Sequence, residues 1–274
     1  RRWPEDDAAY TRLAASCQRA LEDGLEVIWD RLRRQTRAQR LCYAGGVALN
    51  SVANERLVQS RRFEEVFIMP AAEDCGTALG AAFHGLWSLT GPRPGPGVRS
   101  EFLGRDHGVG SPSPETIAEV ASRLAKGQVV AWYQGGSEFG PRALGHRSIL
   151  LDPRRADGQA QLNAQVKQRE AFRPYAPVVL ARHAHEWFNL GAAAGDSPFM
   201  LRVVPVRPER REQIPAVTHV DGSARLQTLT QEADPTLHAL LTAFHALTGV
   251  PLLLNTSFNV QGEPIVETPQ DARA

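Results

Sequence analysis

The chain has 274 residues, of which 42% are hydrophobic and 22% charged, and its formal net charge is +1. These values are ordinary for a soluble globular protein, and they exclude a disordered tail, a fibre and a membrane bundle. The near-neutral charge gives no bulk electrostatic reason to bind nucleic acid or an anionic membrane. The length predicts two compact units, since domains usually contain roughly 100–200 residues.

The cysteines indicate the cellular compartment. Cys17, Cys42 and Cys75 are odd in number and widely spaced, without a CxxC pair. This pattern gives no disulfide framework and predicts a reducing, cytoplasmic location.

The chain opens at Arg1 without a signal peptide, and it stops at Ala274 shortly after an apolar run. We therefore expect it to be part of a longer protein.

The first hundred residues alternate helical periodicity with short apolar runs. Predicted helices cover residues 6–34, 50–59 and 77–89, and predicted buried strands cover 41–44 and 66–68. The first helix can be capped by Asp6 or Asp7. A strand, a glycine turn and a helix, followed by a strand, an acidic turn and a helix, are typical of an α/β fold.

Residues 91–114 are rich in glycine and proline and predict a linker. A second α/β unit follows it. Its predicted helices cover 114–126, 158–166 and 235–248, and its predicted strands cover 129–133, 149–151, 176–180, 200–206 and 250–254.

Two turns of the first unit are candidate sites. Gly45, Gly46 and Asn50 lie between a strand and a helix, where exposed N–H groups favour an anionic ligand. A tight turn without a ligand fits this pattern equally well. Asp74 lies between the second strand and its helix, where a carboxylate could hold a cation or a sugar hydroxyl. The spacing alone favours a simple helix cap there.

The second unit concentrates cations beside glycine and proline. The segments FGPRALGHRS (139–148), KQREAFRP (167–174) and THVDGSAR (218–225) contribute them, and Lys167 is one of only two lysines. The cations are Arg142, Arg147, Lys167, Arg169, Arg173 and Arg225. Their convergence would make a phosphate pocket, although solvated surface charges are the simpler alternative. The segment NTSFN (255–259) could also contact phosphate, or it could only close a strand.

Six long strings follow one another in order along most of the chain. They are GGVALN (45–50), AAEDCGTALGAA (71–82), EFGPRALGHRSIL (138–150), KQREAFRPYAP (167–177), IPAVTHVDGSAR (214–225) and TGVPLLLNTSFNVQGEPIV (248–266). Together they resemble the O-carbamoyltransferases of the nodulation-protein, cephem and aminoglycoside type. The resemblance implies an α/β architecture. Residues 1–105 would form the second half of an actin/Hsp70/sugar-kinase-like (Kae1-like) domain, and residues 106–274 a YrdC-like carbamoyltransferase domain.

The resemblance also implies a two-step reaction. Carbamoyl phosphate and ATP, with Mg²⁺, would form carbamoyl-adenylate and pyrophosphate in the YrdC-like domain. A hydroxyl of a specialised metabolite, as in antibiotic biosynthesis, would then take the carbamoyl group in the Kae1-like site, and AMP would leave. The implied partners are these small molecules, with no nucleic acid and no membrane.

The residues that match the motifs take their roles from the same resemblance. It makes Lys167, Arg142 and Arg173 catalytic, and Asp74 a ligand of a divalent metal, with iron expected. Substrate and nucleotide binding falls to Arg147, His146, Arg169, His219, Arg225, Ser257, Asn259, Gly45, Gly46 and Asn50.

One departure from the family pattern leaves alternatives open. Kae1-like sites take two metal ligands from a His-x-x-x-His pair, and no two histidines of this chain have that spacing. We expect that the missing N-terminal half lies in the same chain or on a partner chain. One alternative is a non-catalytic nucleotide-binding subunit of such a split enzyme. Another is a tRNA threonylcarbamoyl-adenylate enzyme, against which the strings FGPRALGHRS and THVDGSAR argue.

Overall fold

A computed structural model describes residues 7–91, 100–191 and 195–273. The predicted cap Asp6 and residues 92–99 of the predicted linker lie outside the described residues. The helices are α1 (Asp7–Thr36), α2 (Ser51–Gln59), α3 (Cys75–Thr90), α4 (Pro114–Ala125), α5 (Gly158–Leu162), α6 (Ala184–Trp187) and α7 (Pro235–Thr248). The strands are β1 (Arg40–Tyr43), β2 (Glu65–Ile68), β3 (Val130–Tyr133), β4 (Arg147–Leu151), β5 (Ala176–Leu180), β6 (Arg202–Pro205), β7 (Ser223–Leu229) and β8 (Leu252–Ser257). None of the described helices is long and apolar enough to cross a membrane.

The first part of the chain contains a small parallel sheet. Strands β1 and β2 pair in register from Arg40 with Glu65 to Tyr43 with Ile68. Helices α1 and α2 pack together through a core cluster that contains Trp29, Leu57 and Phe63, with Tyr43 against it. The helices confirm the sequence predictions, because apolar residues at helical spacing face this cluster.

The prediction that residues 66–68 form a buried strand is wrong in its burial. Phe67 is 52% exposed, and only Ile68 of β2 is buried. Helix α3 has no buried residue, although Leu86, Trp87 and Leu89 are large and apolar. A sheet of two described strands is too small to cover helices on both of its faces, so these side chains remain at the surface.

The second part is built on a mixed six-stranded sheet in the order β3-β4-β8-β5-β7-β6. Only β5 and β7 pair in parallel, and the other neighbours are antiparallel. Helices α4 and α7 contribute Leu124, Leu241 and Phe244 to the main core. This arrangement confirms a mixed α/β fold. The sequence does not predict β7, because Ser223, Arg225 and Gln227 place polar residues at alternate positions of a largely buried strand.

Polar side chains connect the two parts of the chain. The buried Asn54 of α2 donates to the carbonyl oxygen of Leu201 at 3.0 Å. Arg202 of β6 donates from Nε to Oε2 of Glu55 at 2.7 Å, and both side chains are largely buried. These contacts place the amino end of α2 beside the β6–β7 edge of the large sheet.

Gly140 forms a second junction between the two parts of the chain, where it lies against Pro70, and replacing Gly140 tests this contact. Its φ is +134°, and a Cβ there would lie 2.8 Å from the carbonyl oxygen of Pro70. We expect Gly140→Ala to destabilise the protein by about 1–3 kcal/mol, since strain and close contact add. Gly249→Ala is the matched control, with a φ of +72° and open space around it. Equal losses in urea unfolding for the two variants would show that the Pro70 contact has no effect.

Candidate functional site

Lys167 lies at the end of a π-helical turn, Asn163–Lys167, after which Gln168 adopts a left-handed φ of +41°. Such turns are rare in proteins, and many of those that occur lie at functional sites. The lysine is buried, and its Nζ donates to Asn259 Oδ1 at 2.7 Å, Asn259 O at 2.9 Å and Ser257 Oγ at 3.1 Å. The structure therefore brings Lys167 together with Ser257 and Asn259, which lie far from it in the sequence.

The surroundings of Lys167 disfavour its charge. Burial, together with the charges of Arg169 and Arg173, lowers the pKa of Lys167 to about 8. The oxygens around Nζ belong to neutral groups. An anion placed beside this ammonium group would restore the protonated form, because opposite charge raises the pKa of a cation.

Three guanidinium groups, linked to Lys167 through Arg169, have unused donors. The Nε atoms of Arg142, Arg169 and Arg225 are buried and have no hydrogen-bond partner among the described residues. Burial lowers the pKa of Arg225, and the nearby charges of Arg142 and Arg169 lower it further. Buried donors are normally satisfied. A bound anion with several oxygens would supply the missing acceptors.

Arg169 is held by a ring. Its guanidinium carbon lies 4.3 Å from the centre of the Tyr175 ring. This cation–π contact fixes the side chain while its Nε stays unpaired. Arg173 is more exposed and lies 3.7 Å from Glu170, so it contributes mainly through its charge on Lys167. We call Arg142, Lys167, Arg169, Arg173 and Arg225 the cation cluster.

Arg225 also lines a small cavity of about 250 Å³. His219 and Asp221 share its wall, and Ser51 of α2 reaches it from the first part of the chain. Pockets for drug-sized ligands usually enclose about 300–1,000 Å³, so this cavity suits a small anion or one end of a nucleotide. The Nε2 atom of His219 is buried and no described residue offers it a hydrogen-bond partner. Burial lowers the pKa of this histidine, and the charge of Asp221 opposes the shift.

Arg147 lies in a different environment from the cation cluster. It is fully buried, and its guanidinium carbon lies 3.7 Å from the centre of the Tyr133 ring. It donates to the carbonyl oxygens of Gln134 at 2.7 Å, Gly135 at 3.1 Å and Glu267 at 3.3 Å. These bonds give Arg147 a structural role, and its substrate contact stays a prediction.

His146 faces a second cavity, of about 450 Å³, rather than the one lined by Arg225. Its ring stacks on Phe102 at 3.5 Å, and its Nδ1 lies 2.6 Å from the carbonyl oxygen of Gly136. Asp234 lies 3.5 Å from its other ring nitrogen. The ring therefore fixes the 100–104 segment against the second part, and a nucleotide contact stays a prediction.

The glycine turn of the first part is held by internal bonds. Gly45 has a φ of +100°, and its N–H donates to the carbonyl oxygen of Ala72 at 2.7 Å. Gly46 begins a short 3-10 helix. Asn50 caps α2 by accepting from the N–H of Ala53, and it exchanges two hydrogen bonds with Gln18. A ligand role for this turn stays a prediction.

Asp74 is exposed and precedes α3, but its side chain makes no capping hydrogen bond. Over the ranges 7–91, 100–191 and 195–273, no group of three His, Cys, Asp or Glu side chains could hold a metal ion. The described residues do not assemble a ligand set around Asp74. The expectation of iron there has no support from this geometry, and the helix cap is absent as well.

Two polar residues beside the cation cluster were given no role by the sequence. Glu138 accepts four main-chain N–H groups on one carboxylate oxygen. Gln227 is buried and donates to the carbonyl oxygen of Leu144 at 2.6 Å. Gln227 could have been found from its spacing, because it lies two residues after Arg225 and residues two apart on a strand share a face.

The pKa of Lys167 leads to a prediction about pH. Anion binding requires the protonated ammonium, so affinity should be constant below pH 8 and fall as pH rises through about 8. The slope should approach about tenfold per pH unit, since one proton accompanies the anion. Titration calorimetry with sulfate, whose charge is constant from pH 6.5 to 9.5, measures this. Lys167→Gln should remove the pH step, and the same step in that variant would assign it to another group.

Comparison with protein families decides which family this chain belongs to. The family model described as "Carbamoyltransferase C-terminus" matches residues 121–274, more than half of the chain. The chain belongs to the carbamoyltransferase family. The model described as "Carbamoyltransferase N-terminus" matches residues 3–83. The two matches cover both sheets of the fold and the whole cation cluster.

Similar proteins include enzymes and nodulation proteins. Nodulation protein NolNO of Sinorhizobium fredii is 44% identical over 95% of this chain and 41% of its own length. The 3'-hydroxymethylcephem-O-carbamoyltransferase of Amycolatopsis lactamdurans is 40% identical over 84% of this chain and 44% of its own length. This family member therefore spans about half the length of the curated relatives it matches.

A solved structure of full-length HypF in its phosphate- and nucleotide-bound form aligns with 58% of this chain and 19% of that one. The TM-score is 0.39 and the sequence identity is 16%. A similarity of this size does not establish a shared fold.

Proposed function

We propose that this chain is part of an O-carbamoyltransferase in which carbamoyl phosphate and ATP form carbamoyl-adenylate at the cation cluster. The observation that carries the proposal is the set of buried Nε atoms on Arg142, Arg169 and Arg225, which have no partner in the part of the chain that the structure describes. Such donors are costly to bury, and their cost is offset when polyanionic substrates bind. Residues 1–105 as a Kae1-like half-domain and residues 106–274 as a YrdC-like domain belong to the same proposal.

The first step joins two anionic substrates. Water attacks the phosphorus of carbamoyl phosphate and breaks its bond to the carbamoyl oxygen, which gives carbamate and inorganic phosphate. The freed carbamate oxygen attacks the α-phosphorus of ATP, and the bond to the β-phosphate oxygen breaks to release pyrophosphate. Cations fixed before the reaction offset the repulsion between the substrates and the charge that develops on the leaving group.

Each member of the cluster has a role in this proposal. Four oxygens of Ser257 and Asn259 surround the ammonium group of Lys167. Lys167 holds a phosphate oxygen in exchange for one of these contacts, and the remaining contacts orient its ammonium group. Arg225 and Arg142 hold the second anion, with Arg169 fixed on the Tyr175 ring between the two groups. His219 stays neutral near pH 7, since burial lowers its pKa, and its unpaired Nε2 is available to a substrate hydroxyl or phosphate.

The second step needs more of the protein than these residues. The relative from Amycolatopsis lactamdurans is named for a hydroxymethyl cephem, and we propose an acceptor of the same chemical class, a hydroxyl on a small molecule. The acceptor site would be completed by an N-terminal half, in the same chain or on a partner chain. The exposed apolar residues Leu86, Trp87 and Leu89 of α3 support this, because they would be covered by such a half.

The test is pyrophosphate release from ATP by the purified chain, with Mg²⁺ present and carbamoyl phosphate added or omitted. We expect release only when carbamoyl phosphate is present. Binding of ATP and carbamoyl phosphate without turnover would favour the second candidate, a nucleotide-binding subunit of a split enzyme. Failure to bind either compound would contradict both.

A further inference from the structure

The segment that follows Arg142 is held along its N–H side by one carboxylate. Oε1 of Glu138 accepts from the N–H groups of Leu144 at 2.7 Å, Gly145 at 3.1 Å, His146 at 2.8 Å and Arg147 at 3.2 Å. Hydrogen bonds to an ionised acceptor are roughly twice as strong as neutral ones. Glu138 thereby closes a ten-residue loop around Arg142.

The carbonyl side of the same segment is held from the large sheet. Gln227 of β7 donates to the carbonyl oxygen of Leu144 at 2.6 Å, and Asn255 of β8 donates to that of Ala143 at 3.2 Å. Asn255 also donates to Oε1 of Gln227 at 2.9 Å. Both amides are only 1% exposed. Peptide groups fixed on both sides cannot rotate, so the backbone next to Arg142 has one conformation.

Arg142 itself has no comparable support. The described residues offer its buried Nε no acceptor. Its charge is attracted by Glu73 and repelled by the like charge of Arg225. Desolvation and the repulsion from Arg225 favour turning this guanidinium into water, and a flexible loop would allow that turn. Gln227 lies two residues from Arg225 on the same face of β7, so one strand sets the position of both arginines.

We propose that Glu138, with Gln227 and Asn255, is a positioning residue that holds Arg142 in the cation cluster beside Arg225 before substrate binds. The inference rests on the proposed function, because it needs the cluster to bind an anion. It assigns to Glu138 a role in affinity that acts through Arg142 and not through contact with the substrate.

The test is a double-mutant cycle with Glu138→Gln and Arg142→Ala in the full chain. The probe is inorganic pyrophosphate, and calorimetry gives its dissociation constant. We expect Glu138→Gln to weaken binding about tenfold in the wild-type background and less than about twofold in the Arg142→Ala background, since coupled residues are not additive. The effect of Glu138→Gln on the free energy of unfolding should be equal in the two backgrounds. A general loss of structure would not explain a binding effect that depends on Arg142 beside a stability effect that does not.

Two further variants complete the test. Asp271→Asn is the matched control, because the Asp271 carboxylate accepts from the N–H groups of Glu267 and Thr268 at the surface. It should lower stability without weakening pyrophosphate binding. Glu138→Asp should recover part of the affinity, since it restores the charged acceptor. Equal weakening by Glu138→Gln in both backgrounds would overturn the inference, as would unchanged binding. Wild-type protein that binds no pyrophosphate would instead overturn the proposed function, and the inference with it.

Discussion

Lys167→Ala should abolish carbamoyl phosphate-dependent release of pyrophosphate from ATP. The substitution removes an ammonium group from a buried position where Ser257 and Asn259 orient it. One charge-assisted contact contributes about 1.5–3 kcal/mol, which is about 10- to 150-fold in rate or affinity. The loss is larger if the contact shortens in the transition state. Steady-state assays at saturating ATP measure the effect.

Lys126→Ala provides the matched control for this variant. Lys126 is the other lysine of the chain and lies exposed at the end of α4. It should keep wild-type rates. Thermal unfolding of both variants separates a lost contact from a lost fold. A folded Lys167→Ala protein with wild-type rates would remove Lys167 from the reaction.

Arg225→Met should make the protein more stable and weaken its binding of phosphate compounds. The Nε of the guanidinium is buried without a partner among the described residues, and burial with neighbouring cations lowers the pKa of Arg225. Replacing it with an apolar side chain of similar length removes a desolvation cost of about 1–3 kcal/mol. Anion binding should weaken by about 5- to 150-fold, since an equal range of free energy is lost there. Urea unfolding and calorimetry with pyrophosphate measure the two effects.

Arg202→Met is the control variant, for which we expect a change in stability of the opposite sign. Arg202 is also buried, but it is paired with Glu55 at 2.7 Å. Removing one partner leaves the other charge buried, which typically costs about 3–5 kcal/mol. The variant should therefore lose stability. If both variants lost stability equally, Arg225 would have a structural partner and would not be a free cation of the site.

Local patterns predicted the elements well where the side chains that matter are close in sequence. The helix over 235–248 is confirmed, and it begins after Asp234, whose Oδ1 accepts from the N–H groups of Thr236 and Leu237. Ser113 caps α4 in the same way. The convergence of Lys167 with Ser257 and Asn259 was implied by resemblance and not by spacing, because 90 residues separate Lys167 from Ser257.

Other features depend on tertiary contacts that no local pattern contains. Arg147 and Arg142 lie in one glycine-flanked loop, and the Nε of each is buried without a partner among the described residues. The terminal nitrogens of Arg147 donate to main-chain carbonyl oxygens, whereas Arg142 lies near the like charge of Arg225. Their difference arises from the strands packed around each side chain. Strand β7 escaped prediction because its polar face serves Arg225 and Gln227, whose surroundings form only in the folded sheet. The burial of β2 depends on how many strands cover it, which its own apolar residues do not specify.

The last described residues of the chain are connected to its interior through Arg147 and Tyr133. The carbonyl oxygen of Glu267 accepts from the hydroxyl of Tyr133 at 2.8 Å and from the Arg147 guanidinium at 3.3 Å. The Glu267 side chain itself is exposed, as is much of the 267–273 segment. A protein shortened before Glu267 would take the acceptor from the Tyr133 hydroxyl and one of three acceptors from Nη2 of the buried Arg147. Trimming this surface tail therefore changes hydrogen bonds that lie in the interior.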